Sequence, residues 1–271
     1  MRYLCKFSIF SIFFLTLGLN SCAKKLPDTA LQTAGKTLVW ADEFDVDGML
    51  NDSDWTYSTG NCNGWGNGEL EYYTDTEDNS WIKDGFFHIK VFKDGYKWTS
   101  ARVKTQYKHD FTYGYYEICA KLPKGVGIWP AIWMMPSYNK YGNWPSSGEM
   151  DIMEMVGFEQ DNIYTTIHTA AYNHKKGTQK GFQAKIKHAS SKFHIYGLDW
   201  QHDYLQFYVD GKPYLRFENS ADGDYTKWPF DQKFYLIMNV AVGGSWGAQQ
   251  GIDEKACDGT EMVVDYVRVY Q

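Results

Sequence analysis

The chain reads as an all-β protein, an antiparallel β-sandwich, and three observations carry that reading. Short stretches rich in β-branched and aromatic residues recur from Leu38 to the C-terminus. Asp-Gly pairs at Asp84-Gly85, Asp94-Gly95 and Asp210-Gly211 fall between or beside such stretches, where two-residue hairpin turns require positive φ. No segment sustains the 3.6-residue apolar period of an amphipathic helix. A length of 271 residues admits two domains, but all-β sandwiches of this size are routinely single, and no internal linker or repeat marks a boundary.

In chain order, residues 1–21 hold Arg2 and Lys6 and then the apolar run Phe7 to Leu19. That run is too short to span a bilayer as a mature helix and reads as a secretory signal. Its end, Leu19-Asn20-Ser21-Cys22, resembles a bacterial lipoprotein box, which makes Cys22 the lipidated N-terminus after cleavage and places the protein outside the cytoplasm, anchored to a membrane. Residues 22–36, polar and containing Lys24, Lys25 and Pro27, suit a short tether. The domain then occupies 37–271.

Within it the expected strands are Leu38 to Phe44, Trp81 to Phe92, Trp98 to Tyr107, Tyr113 to Leu122, Ile163 to Thr169, Phe193 to Trp200, Tyr204 to Val209, Tyr214 to Phe217, Phe234 to Val242 and Met262 to Tyr270. Of the three Asp-Gly turn signals, Asp210-Gly211 joins Tyr204–Val209 to Tyr214–Phe217 as hairpin arms.

Loss of residues 1–21 leaves 25 basic against 33 acidic residues, a formal charge of −8. An acidic domain lacks the basic footprint that phosphate backbones require, so nucleic acid is excluded as a partner. With Cys5 removed and Cys22 acylated, Cys62, Cys119 and Cys257 remain, an odd number that permits one disulfide at most. Cys62 and Cys257, both in loop sequence, are the candidate pair, and Cys119 reads as a strand position. There is no H-E-x-x-H and no C-x-x-C, so metal-centred catalysis has no motif here.

The stretch that carries chemistry is Trp144 to Gly157, W-P-S-S-G-E-M-D-I-M-E-M-V-G, which sets three carboxylates into six residues of otherwise apolar sequence. In a regular strand Glu149 and Asp151 share a face and Glu154 takes the other. A one-residue bulge near Ile152 and Met153 removes the conflict and aligns all three acids. Such a row supplies what glycoside hydrolysis needs, one carboxylate to attack the sugar and one to protonate the leaving oxygen, roughly 5–5.5 Å apart in retaining enzymes. A third acid between them tunes both pKa values. The bland alternative is a solvated acidic face, which the flanking Met150, Ile152, Met153, Met155 and Val156 argue against.

Glu149-Met150-Asp151-Ile152-Met153-Glu154 resembles the active-site signature of glycoside hydrolase family 16, in the bulged form of laminarinases and related β-1,3 and mixed-linkage β-glucanases. The same family's patterns are resembled by G-W-G-N-G-E-L-E-Y-Y-T at 64–74, G-I-W-P-A-I-W-M-M-P at 127–136, N-V-A-V-G-G-S-W-G at 239–247 and V-D-Y-V-R-V-Y-Q at the C-terminus, so the resemblance runs from about Leu38 to Gln271. It implies a β-jelly roll of the concanavalin A type with a substrate cleft across a concave sheet, and a monomer acting on a β-glucan.

By resemblance Glu149 is the nucleophile, Glu154 the general acid and base, and Asp151 their assistant. Trp129, Trp133, Trp144 and Trp246 are candidate sugar platforms, because aromatic faces suit the C–H faces of sugars and eleven tryptophans in an 18% aromatic chain exceed what a core needs. Trp129 and Trp133, four apart on a strand and loop, share a face. Asn67, Glu69 and Arg102 occupy motif positions that the family directs toward the cleft, and His168 sits on the strand after the acids, where it supports substrate or carboxylate. No cofactor is needed for catalysis. Relatives often hold a structural Ca²⁺, which here implies Glu43, the Gly85 backbone and Asp265 as oxygen donors. Two readings stand beside the β-glucanase: a non-catalytic carbohydrate-binding sandwich, and a hydrolase of the same family acting on a galactan such as agar, porphyran or carrageenan. Transglycosylation uses the same covalent intermediate and stays open.

Overall fold

A computed structural model describes residues 29–220 and 222–271. The expected signal, Cys22 and the first part of the tether lie outside these residues. Two large antiparallel sheets pack face to face. One has seven strands, in the order Lys180–Lys185, Asn162–His168, Glu149–Glu154, Ile128–Pro136, Phe234–Val242, Arg102–Lys104 and Thr56–Tyr57. The other follows the order Lys212–Glu218, Tyr204–Val209, His194–Trp200, Gly114–Lys121, Glu261–Tyr270, Phe86–Lys90 and Ser80–Lys83, with Leu38–Asp42 pairing beside Glu261–Tyr270. A small sheet joins Glu71–Tyr73 in parallel to Lys97–Ser100, which pairs with Phe92–Asp94.

The alternation of side chains decides which face of the seven-stranded sheet is core. Ile128, Ile132, Met134, Met150, Ile163, Ile167, Met238, Val240 and Val242 turn inward and meet Tyr116, Ile118, Ala120, Leu198 and Trp200 of the other sheet. Removing such side chains from water stabilises the sandwich by about 1.5–3 kcal/mol each. The residues between them, Trp129, Ala131, Trp133, Tyr164, Thr166, His168, Asn239 and Ala241, therefore stand on the opposite face and line a cavity.

Several elements differ from expectation. Trp98 to Tyr107 is two strands, Lys97–Ser100 in the small sheet and Arg102–Lys104 in the seven-stranded sheet, with the fully buried Ala101 at the crossing. Ile128–Pro136 is strand throughout despite Pro130. Its ladder to the acid strand begins only at Ala131, and the Pro130 carbonyl accepts from Met155 N at 3.2 Å, so the missing N–H falls at the end of the pairing. Lys180–Lys185 is an edge strand with five of six residues exposed and no apolar face to announce it.

The latter part of the expected tether is tied to the domain. A short helix spans Ala30–Thr33, Gln32 Nε2 donates to the Gly211 carbonyl at 3.1 Å, and Lys36 Nζ lies 3.8 Å from Asp199. Thr37 exchanges backbone bonds with Gln271 at 2.6 and 2.9 Å. Among the described residues the expected disulfide is absent: Cys62 and Cys257 are not bridged. Cys257 is buried with its thiol 3.1 Å from the Val126 carbonyl, whereas Cys62 is exposed at a positive-φ loop position. Of the expected calcium donors, Glu43 is already engaged. The Glu43 carboxylate receives Arg268 Nε and Nη2 at 2.7 and 2.9 Å, so a guanidinium already stands where a cation held by that carboxylate would be.

Candidate active site

The acids sit where a local irregularity puts them. Asp151 pairs with Thr166 and Glu154 with Tyr164, so Ile152 and Met153 together oppose the single residue Thr165. Against the other neighbour the same shift falls between Ile132 and Trp133. Both Ile152 and Met153 are fully buried in the core, and the extra residue carries Glu154 onto the face of Glu149 and Asp151. The bulge disturbs the ladder, and the buried Thr165 hydroxyl answers by donating to the Asp151 carbonyl at 2.6 Å.

All three carboxylates line a cavity of about 520 Å³ on the outer face of the seven-stranded sheet. Two indoles grip the outer pair. Trp144 Nε1 donates to Glu149 Oε2, and Trp129 Nε1 donates to Glu154 Oε1 at 3.0 Å. Burial raises the pKa of Glu149, opposed by the bond from Trp144 and by a hydrogen bond shared with Asp151. Burial also raises Asp151 well above its usual range, and the charges of Glu149 and Glu154 add to that. Asp151 is thus favoured as the member of the pair that carries the proton, and its hydrogen bond to Glu149 favours the ionised form of Glu149. Glu154 is pushed up to about 8, by burial first and then by the charge of Glu149, so it is protonated at neutral pH. His168 is pressed down to about 4 by burial and by His174, and is neutral there. The arrangement holds one ionised carboxylate and one carboxylic acid on one face, which is the division of roles that double displacement at an acetal carbon needs.

Of the other expected site residues, Asn67, Glu69, Arg102, Trp129, Trp133, His168 and Trp246 all line the cavity. Asn67 Nδ2 donates to Glu69 Oε1 at 2.9 Å. Arg102 places its guanidinium 4.7 Å from the ring centroids of both Trp65 and Trp133. Trp133 Nε1 donates to Asn239 Oδ1 at 2.8 Å, and Trp246 packs edge-on to Trp129 and Tyr164. Trp144 is different: it is outside the cavity lining and works from behind as the donor to Glu149, its ring beside His168 and His174.

The structure adds lining residues that sequence reasoning did not name. Trp65 and Asn239 lie inside motifs already singled out, and Tyr164 and Thr166 share the two-residue period of His168, so their signals were present. His174 arrives from a short 3₁₀ turn, His174–Lys176, with no pattern to find it.

A direct consequence concerns pH. With Glu149 ionised and Glu154 protonated as the working form, kcat/KM on a β-glucan is expected to be bell-shaped. It should fall above about pH 8 as Glu154 loses its proton, and on the acid side at a pH above the ordinary carboxylate value, because Glu149 is raised. Initial rates across pH check this; a profile flat through pH 8 and beyond contradicts the assignment of Glu154.

Residues 49–268 match the sequence profile of Glycosyl hydrolases family 16. Over 268 residues, 95% of this chain and 93% of the relative, the chain is 44% identical to a beta-glucanase of Rhodothermus marinus. It is 37% identical to a glucan endo-1,3-beta-glucosidase of Cryptopygus antarcticus, covering 85% of this chain and 90% of that one. Among solved structures it superposes on the laminarinase from Rhodothermus marinus with a TM-score of 0.84 at 45% identity, covering 87% of this chain and 97% of that one. The jelly roll, the bulged row of acids and these likenesses agree, and the chain belongs to glycosyl hydrolases family 16.

Proposed function

We propose that the protein is an endo-acting, retaining β-glucanase that hydrolyses internal linkages of β-1,3-glucan or mixed-linkage β-1,3/1,4-glucan. The observation that carries this is the bulged strand that brings Glu149, Asp151 and Glu154 together onto the cleft face of one sheet. The family and the activities named for its relatives supply the substrate class.

In the first step Glu149 attacks the anomeric carbon while Glu154 gives its proton to the departing glycosidic oxygen, leaving a glycosyl ester on Glu149. Ester formation removes the negative charge of Glu149. That charge is the second cause of Glu154's raised pKa, so the pKa of Glu154 falls once the ester forms. Glu154 is then suited to take a proton from the water that attacks the ester. Two inversions at one carbon give net retention. Asp151 supports Glu149 through its proton, first on the carboxylate and then on the ester as the bond breaks.

A purely binding sandwich has no use for this arrangement, since desolvating acids without a reaction to perform weakens sugar binding. A sulfated galactan calls for cationic groups. Among the described residues Arg102 is the one lysine or arginine lining the cavity, and its guanidinium is flanked by Trp65 and Trp133. Product analysis on laminarin, lichenan, barley β-glucan, curdlan and agarose tests the reading. Oligosaccharides released from the glucans in the β-anomeric form support it. Release from agarose alone, or from none, overturns it.

The protein is also, in this proposal, an exported lipoprotein at the cell surface or in the periplasm, held to a membrane by lipid on Cys22; the charged start, apolar run and Leu19-Asn20-Ser21-Cys22 support this. Cys22→Ala is expected to move the protein from the membrane fraction to a soluble or unprocessed form. Wild-type protein found wholly in the soluble exported fraction refutes the anchor.

A further inference from the structure

We propose that Glu149, Asp151 and His168 form a binding site for a borderline transition-metal dication, Zn²⁺ or Cu²⁺, which occupies the cleft reversibly in competition with the sugar chain. One ligand atom from each of the three lies within 4.8 Å of the others. His168 Nε2 stands 3.5 Å from Asp151 Oδ2 and 4.0 Å from Glu149 Oε1. At metal–ligand distances near 2.0–2.2 Å, small side-chain rotations bring such atoms around one ion.

The second observation is that Asp151 Oδ2, the ligand atom nearest His168 Nε2, is unsatisfied. Asp151 is 3% exposed and His168 6%, yet Asp151 Oδ2 receives no hydrogen bond from any N–H or hydroxyl among the described residues, and His168 Nδ1 has no partner either. A buried lone pair without a donor is costly. The imidazole nitrogen that faces Asp151 is near enough to help but makes no aligned hydrogen bond. A dication between them satisfies the imidazole and both carboxylates together. The surrounding charges permit it: Glu154 and Glu69 are acids on the same cavity wall, Arg102 is held by two tryptophans, and His174 is neutral or a further nitrogen donor beside His168.

The donor set selects the ion. One imidazole and two carboxylates suit zinc or copper, with the cavity leaving room for water at the remaining positions. Calcium and magnesium prefer oxygen ligands alone, and the buried His168 supplies nitrogen. Occupancy ties up the Glu149 carboxylate, so a bound metal excludes the reacting sugar. The binding claim concerns these three side chains only; inhibition follows from it through the role proposed for Glu149.

Isothermal titration with ZnCl₂ tests the site in wild type, His168→Gln and Asp151→Asn. A distant control is His88→Gln, whose ring sits 3.4 Å from Glu261 on the other sheet. The expected result is a Zn²⁺ site weakened by about tenfold or more in His168→Gln and Asp151→Asn and unchanged in His88→Gln, with no comparable heat from MgCl₂. In Glu154→Gln, whose turnover is expected to be strongly slowed, a laminari-oligosaccharide should weaken Zn²⁺ binding. Equal affinity in wild type, His168→Gln and Asp151→Asn overturns the site, as does Zn²⁺ binding indifferent to the oligosaccharide. Should a variant fail to fold, electron paramagnetic resonance of wild type loaded with one Cu²⁺ decides, because imidazole nitrogen coupling that disappears on adding oligosaccharide supports the site and coupling that persists overturns it. Zn²⁺ inhibition of laminarin hydrolysis, relieved by EDTA, then reports separately on Glu149 as nucleophile.

Discussion

Glu154→Gln is expected to lower kcat on a β-glucan by about 10²–10⁴-fold, the usual worth of a positioned acid and base, and Glu149→Gln by at least as much, with oligosaccharide binding and the fold retained. The amides keep the shape of the side chains. An amide at position 149 can no longer attack, and an amide at position 154 holds no transferable proton. The contrast between alanine variants is sharper. In Glu149→Ala, added azide enters from the face the carboxylate has vacated and displaces the aglycone once, giving the α-glycosyl azide. In Glu154→Ala, an activated aryl glycoside still forms the ester on Glu149, because a good leaving group needs no proton. Azide then opens that ester and gives the β-glycosyl azide. The two products distinguish nucleophile from acid without appeal to rate, and the reverse pairing would exchange the roles. Near-wild-type turnover in both glutamine variants would leave a binding sandwich as the better description. Asp151→Asn should lose less, since asparagine still donates to Glu149 while no longer responding to its charge.

The acid row was legible because three charges inside an apolar run conflict with strand alternation, and a bulge at Ile152 and Met153 is the local way to resolve that conflict. The cleft face was legible for the same reason: Trp129 and Trp133 alternate with Ile128 and Ile132. What local sequence did not contain are choices made by distant partners. Glu43 is acidic at a strand end and looks free to hold a cation until Arg268, 225 residues away, is brought against it. Trp144 reads as a sugar platform, yet the loop that carries it turns its indole N–H into Glu149. Trp98 to Tyr107 reads as one strand by pattern, and only the crossing at Ala101 separates its two halves into different sheets. Lys180–Lys185 pairs through its backbone at the sheet edge, so its side chains carry no pattern.

Deleting Met153 is expected to unfold or inactivate the protein rather than convert it to a working shorter motif. On spacing alone the deletion is attractive: it restores strict alternation and places acids at every second position, as in relatives with the Glu-x-Asp-x-Glu pattern. Packing opposes it. Met153 is fully buried in the core and pairs with Ile132, so its loss removes a buried side chain whose truncation alone costs about 2–5 kcal/mol. At this chain length that corresponds to roughly 5–20 °C in Tm. The ladder beyond the deletion need not move, because Ile152 alone can then oppose Thr165 and leave Glu154 opposite Tyr164, so the cost falls on the lost core side chain and on the local bend and twist that the bulge gives the strand. The Thr165 hydroxyl, placed to cover the carbonyl that the bulge exposes, is left in a buried site made for a different ladder. Met153→Ala separates the two effects, because it keeps the residue count and the bulge while losing only side-chain packing. Thermal unfolding and laminarin hydrolysis should show Met153→Ala less stable but active, and the deletion impaired in both. A deletion variant as stable and as active as Met153→Ala would mean that the bulge is dispensable and that the strand can realign its acids without it.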